Sequence, residues 1–126
     1  MKRVTGIGGI FFKARDPEQL REWYRRHLGI ESENWGGFAF QWADDPQTDG
    51  GMTVWTVFPD STKYFGPGDQ PFMINFRVAD LDALVAQLRT EGVEAKSEAS
   101  EFGKFGWITD PEGNRVELWE PPAPTK

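Results

Sequence analysis

Two stretches of this sequence, 64 residues apart, read the same way. Ile10, Phe12 and Ala14 alternate with Phe11, Lys13 and Arg15, and Ile74, Phe76 and Val78 alternate with Asn75 and Arg77. A period of two marks a strand with one covered face. Each run then leads into a helix. Asp16 is an N-cap, Pro17 takes the first helical position and Gln19 completes a capping-box-like arrangement. Leu20, Trp23, Tyr24, His27 and Leu28 keep the helical spacing until Gly29 ends it. Asp80 caps the second helix, Leu81, Leu84, Val85 and Leu88 form its stripe, and Gly92 ends it. At this offset Ile10 falls on Ile74, Phe12 on Phe76, Lys13 on Arg77, Asp16 on Asp80 and Leu20 on Leu84.

The later strands match at a slightly smaller offset. Val54-Trp55-Thr56-Val57-Phe58-Pro59 falls on Val116-Glu117-Leu118-Trp119-Glu120-Pro121, and Asp45-Pro46 falls on Asp110-Pro111. The chain therefore reads as an α+β fold of tandem βαβββ modules, residues 1–60 and 72–122. Between them a Gly- and Pro-rich linker covers 61–71, and residues 123–126 form a tail. A half of this size is marginal alone, so both halves are expected to pack as one domain, 1–126. Antiparallel strands rolling around a shared interior give a partly open, curved sheet around a cavity.

Composition narrows the function. Net charge is −6, which argues against nucleic acid and anionic lipid surfaces and is compatible with cationic small ligands. There are no cysteines, hence no disulfides or thiolate chemistry. No apolar run is long enough for a membrane span and no signal peptide opens the chain, so the expected location is cytoplasmic. Six Trp and ten Phe stand against two Tyr. Phe38, Phe40, Trp42, Trp55, Phe58, Phe105, Trp107 and Trp119 fall in expected strands, where they build a sheet core or line an aromatic cavity.

The segment Asp110-Pro-Glu-Gly-Asn-Arg-Val-Glu117-Leu-Trp-Glu120 joins turn chemistry to an alternating strand. Glu117 and Trp119 share one strand face, Val116 and Leu118 the other. A carboxylate on a covered face needs a partner, a metal or a wet cavity.

The repeat, the entry motif Asp16-Pro…Trp23-Tyr24…Leu28-Gly29 and the Asp110–Leu118 motif together resemble the vicinal oxygen chelate superfamily, which groups glyoxalases, bleomycin-resistance proteins and extradiol dioxygenases. The resemblance covers nearly the whole chain. It implies a homodimer and four cavity-facing metal positions, which here fall on Gly9, Trp55, Met73 and Glu117. Only Glu117 is a suitable ligand, so no metal cofactor is expected. The single histidine, His27, lies on the first helix beside Arg25 and Arg26 and reads as a packed or surface helix residue, not a ligand.

The resemblance also marks the cavity side of the first strands, with Phe11, Lys13, Met73, Asn75 and Arg77. Glu117, Trp55, Phe105, Trp107 and Trp119 join it as candidate ligand-binding residues. Glu117 is either functional or paired with Lys13 or Arg77 in a filled interior. The Tyr64-Phe65-Gly66-Pro67 linker is placed to cover the cavity mouth or to lie on a dimer partner. Two readings follow. One is a metal-free protein that binds a small, planar or partly cationic organic molecule in an aromatic cleft. The other is a glyoxalase-type lyase or isomerase, with Glu117 as catalytic base or as ligand of an atypical metal site.

Overall fold

The helix signatures become helices at the expected places. In the computed structural model, which describes residues 10, 14–45 and 52–123, α1 runs Pro17–Leu28 and α2 runs Leu81–Thr90. Both start identically: Asp16 Oδ1 accepts from the Gln19 amide at 3.1 Å, and Asp80 Oδ1 from the Ala83 amide at 3.1 Å. Each bond satisfies one of the amides that a helix start leaves without a partner. The helices also meet through repeat-equivalent residues. His27 Nδ1 lies 2.6 Å from Glu91 Oε1, and the two positions are 64 residues apart. His27 packs on Trp23 at 5.1 Å between ring centroids, which decides for the packed of its two expected roles.

The second module forms in full. Its strands are β1 (Ile74–Arg77), β2 (Lys96–Ser100), β3 (Gly103–Thr109) and β4 (Arg115–Glu120), in the spatial order β1-β4-β3-β2. The β1–β4 pair is parallel and the other two pairs are antiparallel. β4 is thus central, and its alternation decides both faces of the sheet. Val116 and Leu118 are 1% and 0% exposed and point to the helices, where they join Ile108, Leu81, Val85, Leu88, Leu20 and Tyr24 in one core. Burying a side chain of this size contributes roughly 1.5–3 kcal/mol. Gly106 lets α2 come close, because a Cβ there would stand 3.1 Å from Leu81 Cδ1.

The turn into β4 is built on Asp110, which is 4% exposed. Its Oδ1 accepts from the Glu112 and Asn114 amides, each at 2.9 Å. Its Oδ2 accepts from Asn114 Nδ2 and from the Tyr24 hydroxyl of α1, again at 2.9 Å each. Gly113 takes the left-handed conformation the turn requires, at φ 87°. Burial and the neighbouring Asp110 carboxylate push the Tyr24 hydroxyl pKa far above its ordinary value.

Strands expected in the first half are not found among the described residues. Phe38 and Phe40 lie in irregular backbone, Trp42 opens a short 3₁₀ turn (Trp42–Asp44), and Val54–Pro59 carries no strand. Alternation favours a strand only where a neighbouring strand supplies ladder hydrogen bonds. By analogy with the β1–β4 pairing, the partner of residues 54–58 would be residues 10–14. Of those, Phe11, Phe12 and Lys13 lie outside the described residues. Within the described residues, no helix is long and apolar enough to cross a membrane.

Replacing Asp110 with Ala leaves the buried Tyr24 hydroxyl and two turn amides without their acceptor. The expected loss is about 3 kcal/mol, and that for Tyr24→Phe about 1 kcal/mol. Denaturant unfolding of the two variants checks both size and order.

Candidate functional site

Because Val116 and Leu118 enter the core, Arg115, Glu117 and Trp119 are set on the opposite face of β4. The strand register extends this into two rows. Asn75, Glu117, Trp107 and Lys96 lie side by side across the sheet, followed by Arg77, Trp119, Phe105 and Glu98. Phe105 stands between two indoles and stacks with each, at 6.4 Å from Trp107 and 6.3 Å from Trp119. The Trp119 ring is fixed by its Nε1, which donates to the Phe102 carbonyl at 2.9 Å.

Glu117 lies among these rings and is only 6% exposed. Its Oε2 accepts from Trp107 Nε1 at 2.7 Å and from the Tyr64 hydroxyl at 2.5 Å. Its Oε1 accepts from Asn75 Nδ2 at 2.8 Å. Three donors, none of them cationic, offset the cost of removing the carboxylate from water. Arg77, expected as an alternative partner, instead sits 3.3 Å from Asp45 Oδ2 and 5.9 Å over the Trp119 ring.

Tyr64 comes from the linker, which folds over this face. Its ring stacks on Phe58 at 5.7 Å and meets Trp107 edge-on at 6.2 Å. Its carbonyl accepts from Arg115 Nη1 at 3.2 Å, and the Arg115 guanidinium lies 5.5 Å over Trp107. Partial burial pushes the Tyr64 pKa up to about 12, reinforced by the hydrogen bond to Glu117 and its charge. Trp107 and Arg115 act in the opposite direction. An open groove of about 540 Å³ borders Tyr64, Trp107 and Arg115.

Of the residues proposed from sequence, Asn75, Arg77, Phe105, Trp107, Trp119 and Glu117 share this face. Met73 lies just before β1 and is half-buried. Trp55 is 76% exposed and in irregular backbone. Gly9, Phe11 and Lys13 lie outside the described residues. Tyr64 was legible as part of a covering segment but not as a hydrogen-bond donor to Glu117. The only hint was a lone tyrosine in a Gly- and Pro-rich linker.

The surroundings of Glu117 do not suit a divalent cation. Indole and amide N–H groups donate and do not ligate, and they already engage both carboxylate oxygens. Among the described residues, no three of His, Cys, Asp and Glu come together in a way that could hold a metal ion.

The profile of the glyoxalase-like domain matches residues 9–119. The chain belongs to the glyoxalase-like family. Within the vicinal oxygen chelate superfamily, this glyoxalase-like fold is similar to TnmS3, an antibiotic binding protein from Streptomyces sp. CB03234. The two share 20% identity and a TM-score of 0.61, over 97% of this chain and 100% of that one. A glyoxylase/bleomycin resistance protein/dioxygenase domain from Frankia sp. EAN1pec aligns at 14% identity and a TM-score of 0.58, over 95% and 100% of the two chains. The oxidase ChaP-H2 aligns at 15% identity and 0.52, over 89% and 90%. At these identities the likeness is one of fold. Comparison with curated proteins finds no match.

The chain has two tyrosines, and both are raised. Absorbance at 295 nm is expected to show no tyrosinate at pH 10.5 while the protein stays folded. A raised tyrosine contributes stability that is present below its unfolded pKa near 10. For Tyr64 that stability is lost as pH rises from there through about 12. Tyr64→Phe should flatten this alkaline decline, as measured by denaturant unfolding between pH 9 and 11.

Proposed function

We propose that this protein binds a small planar organic molecule, without a metal, against the Trp107–Phe105–Trp119 row. The stacked rings carry the reading: three rings with near-parallel planes line one face of the sheet, bordered by an open groove. Aromatic platforms of this kind favour flat ring systems through offset stacking. That TnmS3 is an antibiotic binding protein supports a binding role for such a fold. In this reading Glu117 is the strut beneath the platform, fixing the Trp107 indole, the Asn75 amide and the Tyr64 strap. Catalysis by Glu117 as a base would have to use the one lone pair that Asn75 leaves open on Oε1, on a side chain only 6% exposed.

Titration with 2-naphthamide, a neutral bicyclic amide, tests the reading. The indole N–H resonances of Trp107 and Trp119 should shift together in ¹H–¹⁵N spectra. Phe105→Ala should weaken binding about tenfold, since a lost stacking contact is worth roughly 0.5–1.5 kcal/mol. Glu117→Gln should keep both fold and binding. A Gln oxygen still accepts from Tyr64 and Trp107, and a turn of the Asn75 amide presents its oxygen to the new NH₂. No shift of either indole at millimolar 2-naphthamide would sink the proposal.

We also propose that the chain forms a homodimer, as the superfamily resemblance implies. Light scattering coupled to size exclusion should give about twice the 14.3 kDa chain mass. A single species at the chain mass would contradict this.

A further inference from the structure

The groove beside Trp107 has a charge that the whole chain does not share. The sequence holds 20 acidic and 14 basic residues. Yet the charged residues lining the groove are Arg89, Lys96 and Arg115 against Glu98 alone. Glu117 does not reverse the balance: it is 6% exposed, and even with its charge counted three cations stand against two carboxylates. A cationic ligand would therefore meet three like charges in the groove and find Glu117 already satisfied.

The strand register places these cations around one ring. Lys96 is directly opposite Trp107, which is itself opposite Glu117. Lys96 thus stands about 10 Å from Glu117, two strand spacings across the sheet, with the Trp107 indole between them. Lys96 is exposed, and no ion pair to it is found among the described residues. The Arg115 guanidinium lies 5.5 Å over the same indole. Its bond to the Tyr64 carbonyl uses one of the five N–H donors of a guanidinium. Arg89 is held by two bonds to the Ala95 carbonyl, at 3.2 and 2.8 Å, and adds a fixed positive charge at the edge. Glu98 lies two residues beyond Lys96 on the same face of β2 and disfavours a second negative group on the ligand.

We propose that the groove takes an aromatic monoanion, a flat ring bearing one carboxylate or similarly acidic group, with the ring on Trp107 and the acid at Lys96 and Arg115. This rests on the aromatic-cleft reading above and adds the sign and place of the ligand's charge. It reverses the preference for partly cationic ligands that overall charge and a lone Glu117 suggest.

Three naphthalenes of one shape test it at pH 7 and low salt: 2-naphthoate, 2-naphthamide and (2-naphthylmethyl)ammonium. Calorimetry gives the affinities, and the Trp107 indole resonance reports the place of binding. The naphthoate is expected to bind about tenfold more tightly than the amide and the ammonium most weakly, with added salt eroding only the naphthoate's advantage. Lys96→Glu changes an exposed side chain and leaves Arg89 and Arg115 against two lining carboxylates, so it should abolish the naphthoate's advantage over the ammonium. An ammonium that binds as tightly as the naphthoate overturns the proposal. So does a charge preference unmoved by Lys96→Glu. If the amide binds at Trp107 and charge makes no difference, this inference fails and the aromatic-cleft reading stands. If none of the three moves the Trp107 resonance, both fail.

Discussion

At Asp110 one carboxylate accepts hydrogen bonds from a hydroxyl of α1 and from three N–H groups of the turn that launches β4. This contact fixes where β4 begins. A strand whose start slips by one residue turns every side chain to the other face. Leu118 would then face outward and Glu117 would enter a core of Leu81, Val85 and Leu88 without hydrogen-bond partners. The aromatic platform, the groove and the covering linker therefore all depend on a turn that lies on the helix side of the sheet.

Two buried carboxylates serve the two faces in the same manner. Asp110 and Glu117 are 4% and 6% exposed, and each is satisfied mainly by uncharged donors. Such donors carry less desolvation cost than a buried Lys or Arg, so a carboxylate can be covered without a second buried charge. The cations are left at the rim, where they are hydrated and open to solutes.

What the sequence revealed depended on the range of the interactions involved. The N-caps at Asp16 and Asp80, the turn at Asp110 and the alternation of β4 are set within a few residues, and all were legible. That alternation set Glu117 opposite Val116 and Leu118, and the family resemblance marked its face as the cavity side. The partners of Glu117 were not legible, because Tyr64, Asn75 and Trp107 come from a linker and two different strands. Pattern also overreached at Phe38, Phe40 and Val54–Phe58, where aromatic and β-branched residues signal a strand that only a neighbouring strand can complete. The groove's positive lining was hidden for a related reason. Arg89, Lys96 and Arg115 are scattered along a chain whose sum is negative, and only the fold gathers them.

The contact between His27 and Glu91 carries a constraint of its own. Where equivalent positions of two similar units touch, identical sequences would set each residue against its own copy. Two carboxylates there would repel, and two imidazoles would offer no opposite charge. An attractive imidazole–carboxylate contact is available only because the halves differ at this spot. Divergence between the units is thus a condition of the helices meeting favourably, and restoring identity at either position would weaken the junction from within.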